Sequence, residues 1–180
     1  MLFNPTALCK DCPSGYSTKT YIKSIYCSSC SPGYFHIETG GEKCKPCSTG
    51  TFMSDSESTN ACVPCEAGKY QDEKGKATCT SCPSGKWSKK VPATNDFDCQ
   101  DCQVGKYSAS KGVDFDCIFC PAGTRGKDGV TRGTNTTVCQ ACAKGQYRGS
   151  SDVVATLCRD CAIGFYTDNE GQGSCLPCIP

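Results

Sequence analysis

The residues of this chain most able to do chemistry are its cysteines, which make up 20 of its 180 residues. They fall into ten pairs with the spacing Cys-x-x-Cys, and no cysteine lies outside a pair. The first cysteines of successive pairs are 17 to 22 residues apart, a period typical of a tandem repeat. The pairs are 9/12, 27/30, 44/47, 62/65, 79/82, 99/102, 117/120, 139/142, 158/161 and 175/178.

Three kinds of chemistry use this spacing: zinc binding by two pairs, thiol–disulfide exchange, and structural disulfides. Zinc-binding pairs usually carry glycine beside a ligand, and five zinc sites would produce a period of two units, whereas this chain has a period of one. Exchange activity needs a lowered thiol pKa, commonly from a helix N-terminus in a βαβ unit, and no such pattern occurs. The pairs therefore favour structural disulfides in an oxidising compartment, with a zinc-binding array of four-cysteine sites as the remote alternative.

The remaining composition supports a covalently stabilised fold. Leu, Ile, Val and Phe together make only 25 of the 180 residues, which is too little apolar surface to offset the entropy of ordering the chain. The net charge is +1. This near-neutral balance gives no indication of a nucleic-acid or membrane surface, and no apolar run is long enough to span a bilayer within this window.

Glycine follows the second cysteine of a pair by three residues, nine times in all. An aromatic residue comes one or two residues later, except in the seventh unit, where Thr124-Arg125 takes its place. We expect the glycine to adopt a positive φ or to let backbone pass close to a disulfide. We also expect the aromatic to supply one large buried side chain per unit.

Turn-forming residues fill the stretch between each aromatic and the next pair. The pattern predicts a small disulfide-rich fold, mostly irregular with short β-hairpins, arranged as an elongated tandem-repeat rod in which each module contacts only its neighbours. We assign residues 1–8 to an N-terminal lead-in, 9–178 to about nine modules, and 179–180 to a truncated continuation.

The unit resembles the cysteine-rich modules of tumour-necrosis-factor receptors and, more closely, ephrin-receptor-like repeats. The likeness covers residues 9–178 and is clearest in Cys12-Pro13-Ser14-Gly15-Tyr16, Cys82-Pro83-Ser84-Gly85-Lys86-Trp87 and Cys120-Pro121-Ala122-Gly123. In the receptor modules, the cysteine before the glycine bonds the first cysteine of the next pair. The resemblance thus implies the disulfides Cys12–Cys27, Cys30–Cys44, Cys47–Cys62, Cys65–Cys79, Cys82–Cys99, Cys102–Cys117, Cys120–Cys139, Cys142–Cys158 and Cys161–Cys175.

A second connectivity stays open, because spacing alone does not determine pairing. It is an interleaved arrangement like that of epidermal growth factor, in which Cys9 bonds Cys27 and Cys12 bonds Cys30. The ladder implied by the resemblance leaves Cys9 and Cys178 unpaired. We expect these two cysteines to bond repeats outside residues 1–180, in a longer array, or to join one molecule to the next in a homopolymer.

Few other residues suggest a site. The single histidine, His36, has no nucleophile to serve, so we expect ordinary packing, no enzymatic activity and no cofactor or metal. Asn135-Thr136-Thr137 is the one acceptable N-glycosylation sequon, in the longest stretch between pairs. Lys89-Lys90 beside Trp87 is interpreted as solvated surface. The phenylalanines of Asp96-Phe97-Asp98 and Asp114-Phe115-Asp116 are expected to pack between modules; exposed, they would contact a partner.

These features predict a non-enzymatic protein outside the cell or on its surface. The repeat region would act as a stalk, coat, filament or surface-antigen subunit, a disulfide-laddered spacer whose partners are other repeats or other extracellular proteins. The alternative is a receptor ectodomain that binds a protein ligand along its side. The uniformity of the repeats favours the structural role, because a ligand site would show as irregular modules.

Overall fold

The chain is described here in a computed structural model. The described residues are 12–18, 27–39, 43–56, 61–128, 130–131, 133–152 and 156–179. The chain divides into two units, Met1–Thr80 with Lys90–Asp98 and Ser81–Lys89 with Cys99–Pro180. Cys9 lies outside the described residues, as do the predicted lead-in and the final Pro180.

The regular secondary structure of the described residues consists of short strands and of two single-turn 3-10 helices, at Asp96–Asp98 and Thr136–Val138. The strands are β1 Tyr16–Thr18, β2 Cys27–Ser29, β3 Tyr34–Phe35, β4 Lys45–Pro46, β5 Thr51–Phe52, β6 Val63–Pro64, β7 Lys69–Tyr70, β8 Thr80–Ser81, β9 Lys86–Trp87, β10 Gln100–Asp101, β11 Lys106–Tyr107, β12 Ile118–Phe119, β13 Thr124–Gly126, β14 Cys139–Ala141, β15 Gln146–Tyr147, β16 Arg159–Asp160, β17 Phe165–Tyr166 and β18 Leu176–Pro177.

Consecutive strands pair as two-stranded sheets, and the registers are antiparallel, as in β1 with β2 and β17 with β18. The first strand of each hairpin begins directly after the repeat glycine. The second contains the two residues between the cysteines of the next pair. Since each strand is only two or three residues long, side-chain packing alone does not hold a hairpin together. The predicted class, a small disulfide-rich fold of short hairpins, is confirmed.

A tight turn explains the repeat glycine. In each unit the residue after the glycine donates its N–H to the carbonyl three residues earlier, as Tyr16 does to Pro13 at 3.1 Å. The nine repeat glycines have φ between 77° and 87°. This geometry is that of a type II turn, whose third residue needs a positive φ and so favours glycine.

Nine disulfides close the hairpins, and each defines one module, numbered 1 to 9 along the chain. They join the same cysteines that the resemblance implies: Cys12–Cys27, Cys30–Cys44, Cys47–Cys62, Cys65–Cys79, Cys82–Cys99, Cys102–Cys117, Cys120–Cys139, Cys142–Cys158 and Cys161–Cys175. Each closes a loop of 14 to 19 residues in sequence separation, worth roughly 3 kcal/mol in the chain-entropy account.

The buried core consists mainly of disulfide-bonded cysteines. The first cysteine of each disulfide is buried in modules 1 to 8, from Cys12 to Cys142. The predicted burial of the aromatics is wrong: Trp87 and Tyr107 are half-buried, and Phe165 is 50% exposed. Two-residue strands cannot enclose a whole ring, so each aromatic covers its hairpin from one side.

No helix among the described residues is long and apolar enough to cross a membrane.

Candidate functional site

The recurring site of this chain is the junction between successive modules. At six junctions the N–H of the repeat glycine donates to a carbonyl oxygen of the next module, at 2.7 to 3.1 Å. The acceptor is always the third residue after that module's own repeat glycine, which we call the +3 residue. The six donor and acceptor pairs are Gly15 and His36, Gly33 and Met53, Gly50 and Gln71, Gly85 and Ser108, Gly123 and Arg148, and Gly145 and Thr167.

Two further hydrogen bonds recur at these junctions. The N–H of a +3 residue donates to the loop of the next module, as Gln71 does to Ala93 at 3.1 Å. A loop glycine donates back to the first disulfide cysteine of the preceding module, as Gly171 does to Cys142 at 2.8 Å. The modules are therefore joined through backbone groups, which every sequence carries and which tolerate varied side chains.

Contacts also reach the module after next, which differs from the prediction that modules touch only their neighbours. A Cβ on Gly33 of module 2 would overlap the carbonyl oxygen of Gly75 in module 4. One on Gly123 of module 7 would likewise overlap Gly171 in module 9. At Gly33 and Gly123 the repeat glycine thus serves both the turn and a close approach of two backbones, and a Cβ would disturb both.

The +3 position is the functional feature that sequence reasoning missed. Its occupants are nearly all buried, although they share no side-chain chemistry. Because they vary so widely, hydrophobic periodicity does not reveal them; the signal was their fixed distance from the repeat glycine. The buried occupants are His36, Met53, Gln71, Ser88, Ser108, Gly126, Arg148 and Thr167.

Arg148 shows how a polar +3 residue is accommodated. Its side chain is 1% exposed and donates to carbonyl oxygens of module 7, namely those of Cys120, Pro121 and Thr124. Another donor reaches the carbonyl oxygen of Asp152 at 3.2 Å. A buried guanidinium needs such partners, because an unpaired buried donor costs more than its hydrogen bond contributes. Module 7 is the one without its aromatic, so Arg148 covers backbone that lacks a ring.

His36 occupies the +3 position of module 2 and is 5% exposed. Its Nδ1 donates to the carbonyl oxygen of Glu38 at 2.7 Å, which leaves the ring held within its own hairpin. Among the described residues, no group of three or more His, Cys, Asp or Glu side chains could hold a metal ion.

The basic pair at Lys89-Lys90 makes two different contacts. The Nζ of Lys89 lies 5.7 Å from the centre of the Trp87 ring, a cation–π distance. The Nζ of Lys90 lies 2.6 Å from Oδ1 of Asp98, whose Oδ2 accepts the N–H of Thr94 at 2.8 Å. The hydrogen bond from Lys90 is the main cause that holds the pKa of the Asp98 carboxyl below its ordinary value, and the hydrogen bond from Thr94 lowers this pKa further. Both lysines therefore contact residues of their own module.

The two phenylalanines between aspartates do not pack between modules as predicted. Phe97 is 87% exposed and Phe115 is 55% exposed. Near Phe115, Ile118 and Phe119 of β12 are also exposed, at 53% and 44%. The flanking aspartates instead fix the loops, since Asp98 caps its turn at Thr94 and Asp116 accepts the N–H of Cys117 at 2.8 Å.

The sequon lies on the surface. Asn135 is exposed and has an extended backbone, with φ −161° and ψ −176°, immediately before the 3-10 helix Thr136–Val138. Its Oδ1 accepts the N–H of Thr137 at 2.9 Å and the Thr137 hydroxyl at 2.5 Å. The sequon asparagine is thus an exposed residue whose Oδ1 is held by Thr137.

Cys178 is a free and exposed cysteine in the part of the chain that the structure describes. Its N–H donates to the carbonyl oxygen of Gly164 at 2.8 Å, as the matching cysteine does in earlier hairpins. The thiol is thus held at the end of a formed hairpin. Its predicted counterpart, Cys9, lies outside the described residues.

Comparison with known proteins agrees with this geometry. Residues 50–99 and 150–180 match the repeat family described as "Tyrosine-protein kinase ephrin type A/B receptor-like". The chain is also similar to "Sushi, von Willebrand factor type A, EGF and pentraxin domain-containing protein 1" of Rattus norvegicus, with 31% identity over 81 residues. That match covers 44% of this chain and 2% of the rat protein.

The turn glycine, the disulfide on either side of it and the hairpin between them recur in all nine modules, including those within both matched segments. The matched segments 50–99 and 150–180 therefore carry cysteine-rich, disulfide-bonded ephrin-receptor-like repeats, an extracellular type of module, and the other modules have the same turn, disulfide and hairpin.

Proposed function

We propose that the chain is a non-enzymatic structural repeat region of an extracellular or cell-surface protein, serving as a disulfide-laddered spacer in a stalk, coat, filament or surface antigen. The observation that carries this proposal is the module junction. One backbone hydrogen bond, from a repeat glycine to a +3 carbonyl, recurs at six junctions with different side chains around it. A surface selected to hold one ligand would vary from module to module, whereas this junction is uniform.

Two further observations support the proposal. The eighteen cysteines of the nine disulfides suit an oxidising compartment, where such bonds persist. His36, the one histidine of the chain, is buried and held by Glu38, so it is poorly placed to act as a general base. The role needs no cofactor, since the disulfides and backbone hydrogen bonds supply the stability.

Small-angle X-ray scattering of the oxidised chain tests the spacer role. A compact globule of 180 residues would have a radius of gyration of about 16 Å. A stack of modules predicts a value well above this, with the constant cross-section of a rod, and full reduction should replace the rod by an expanded coil. A value near that of the globule for the oxidised monomer would contradict the spacer role.

The exposed phenylalanines favour a second candidate, a receptor ectodomain that binds a protein ligand. Phe115, Ile118 and Phe119 are all exposed in module 6, and exposed large apolar side chains can mark a surface that a partner covers. Saturable binding of the labelled chain to intact cells, lost in Phe115→Ser but kept in Val63→Ser, would support it. Val63 is the matched control, since it is 49% exposed in another module. Binding that does not saturate would argue against a receptor.

A further inference from the structure

Segment 89–92, in the loop of module 5, is exposed along its whole length, whereas Ser88 before it and Ala93 after it are buried. The segment begins with Lys89 and Lys90, the only two adjacent basic residues in the sequence. It belongs to no strand or helix. Exposed loops of this kind are the preferred sites of proteolytic nicking, so the position of the basic pair here suggests a cleavage site.

The equivalent loops of modules 4 and 6 are each anchored by a glycine. The N–H of Gly75 in module 4 donates to the carbonyl oxygen of Cys47 at 2.9 Å. The N–H of Gly112 in module 6 donates to the carbonyl oxygen of Cys82 at 2.8 Å. Pro92 takes this place in module 5, at the same distance in sequence from the +3 residue. Because proline has no N–H, the loop of module 5 lacks this anchor beside its basic pair.

The contacts of the two lysine side chains are ones that a protease can replace. The Nζ of Lys89 contacts the ring of Trp87 at the cation–π distance given above. The Nζ of Lys90 lies 2.6 Å from Oδ1 of Asp98, yet the Lys90 side chain is 55% exposed. An ion pair this open to water contributes little stability. An acidic pocket on a protease can therefore compete with Asp98 for Lys90.

We propose that the Lys90–Val91 peptide bond is a processing site for a serine protease that cleaves after paired basic residues. Such an enzyme selects its substrate by an acidic pocket for each basic side chain, and Lys89 and Lys90 supply both. The enzyme adds one water molecule across the bond, which leaves a carboxylate on Lys90 and an amino group on Val91. The reaction needs no oxidant or reductant.

A disulfide keeps the two products of this cleavage together. Of the nine disulfides among the described residues, only Cys82–Cys99 spans the cleaved bond, so it joins residues 1–90 to residues 91–180. The loop also stays attached beyond the cut, because the carbonyl oxygen of Ala93 accepts the N–H of Gln71 at 3.1 Å. The cleaved chain therefore separates only on reduction. This processing is separate from the proposed spacer role, which an uncut chain would still fulfil.

Limited proteolysis of the folded, oxidised chain tests the proposal, with a purified serine protease specific for paired basic residues. We expect the first cut after Lys90, giving one species without reduction and two after it, which mass spectrometry should assign to residues 1–90 and 91–180. Lys89→Gln should abolish the cut, because one basic residue of the pair is lost. Cleavage of the reduced, alkylated chain confirms that the enzyme accepts the sequence. A folded chain that stays uncut would overturn the proposal.

A second pair of variants tests whether the protease acts on the folded loop. Asp98→Asn removes the charge that Lys90 contacts, while its amide oxygen can still accept the N–H of Thr94. Cleavage should become about two- to fivefold faster, the range expected for loss of an exposed ion pair. Asp96→Asn is the matched control, since it removes the same charge from an exposed neighbour. Equal rates in the two variants would overturn the proposal, because cleavage would then not involve the folded loop.

Discussion

The backbone N–H of Gly123 donates to the carbonyl oxygen of Arg148 at 2.8 Å, and the Arg148 side chain returns to the same module, donating to Cys120, Pro121 and Thr124. One residue of module 8 thus meets module 7 with both its backbone and its side chain. The same backbone bond recurs elsewhere with Met, Gln, Ser, Thr or His in place of arginine. The junction depends on backbone geometry, and the side chain of the +3 residue adjusts the stability of the junction.

Arg148→Met should weaken this junction. The substitution keeps the buried stem but removes the guanidinium donors to the carbonyls of Cys120 and Thr124, which costs about 1–3 kcal/mol. We expect the Gly123 amide to exchange its proton with solvent faster by a matching factor, measured by hydrogen exchange with NMR detection. Arg125→Met is the control, since its partners Asp128 and Gln140 are exposed. Equal acceleration by both variants would show that Arg148 has no special part.

Alanine substitutions at Gly33 and Gly145 separate the free-energy cost of a positive φ from the free-energy cost of a steric overlap. Gly33 has φ 87° and Gly145 has φ 80°, so alanine at either is strained by roughly 1–2 kcal/mol. Only Gly33→Ala also places a methyl group against the backbone of Gly75. Urea unfolding of dilute monomer should therefore show the larger loss for Gly33→Ala. A loss no greater than that of Gly145→Ala would mean that modules 2 and 4 do not touch.

The stacking between modules is the part of the fold that the sequence predicts least well. Short hairpins follow directly from turn residues and from strands too short to pack, and the structure has them. Burial at the +3 position does not follow, because His36, Met53 and Arg148 share no polarity that a pattern could reveal. The prediction that aromatics are buried failed for a related reason. A two-residue strand leaves such a ring only half-buried, as at Trp87.

Contacts between Gly33 and Gly75 lie beyond sequence reasoning of this kind. Repeat spacing indicates which residues are equivalent, but it does not indicate how far each module is displaced relative to the next. The glycine signal was visible in every unit, and its positive φ was foreseen from glycine's missing Cβ. The exposure of Phe97 and Phe115 depends on the turns of two loops of different length. The spacing of the cysteine pairs does not predict those turns.

Asn135 should carry an N-linked glycan when the chain passes through a eukaryotic secretory route. Its side chain is exposed, and the hydroxyl of Thr137 bonds its Oδ1. Thr137→Ala should remove the glycan, and Thr137→Ser should keep it, because the sequon accepts either hydroxyl residue. Thr136→Ala is a control at the middle position. The measurement is the mass shift on enzymatic deglycosylation, and no shift in the unaltered chain would contradict the assignment.

Acid should loosen the loop at Asp98. Hydrogen bonds from Lys90 and Thr94 lower the pKa of this carboxyl in the folded chain. The pKa is then lower folded than unfolded, so the stabilisation is complete above the ordinary value of about 3.9 and is lost as pH falls through the folded pKa. An NMR titration of the Asp98 carboxyl carbon should show the lowered pKa, and Lys90→Met should raise it. No change in Lys90→Met would rule out the hydrogen bond as the cause.

The disulfide ladder itself is tested most directly by trypsin digestion without reduction. Lys and Arg are absent between the cysteines of most pairs, but Arg159 separates Cys158 from Cys161. In the ladder, Cys158 bonds Cys142, and residues 160–180 are closed on themselves by Cys161–Cys175. The unfolded chain, with its free thiols blocked, should therefore release peptide 160–180 with one internal disulfide. The interleaved pairing would keep that peptide bonded to residues 149–159, and recovery of the linked pair would contradict the ladder.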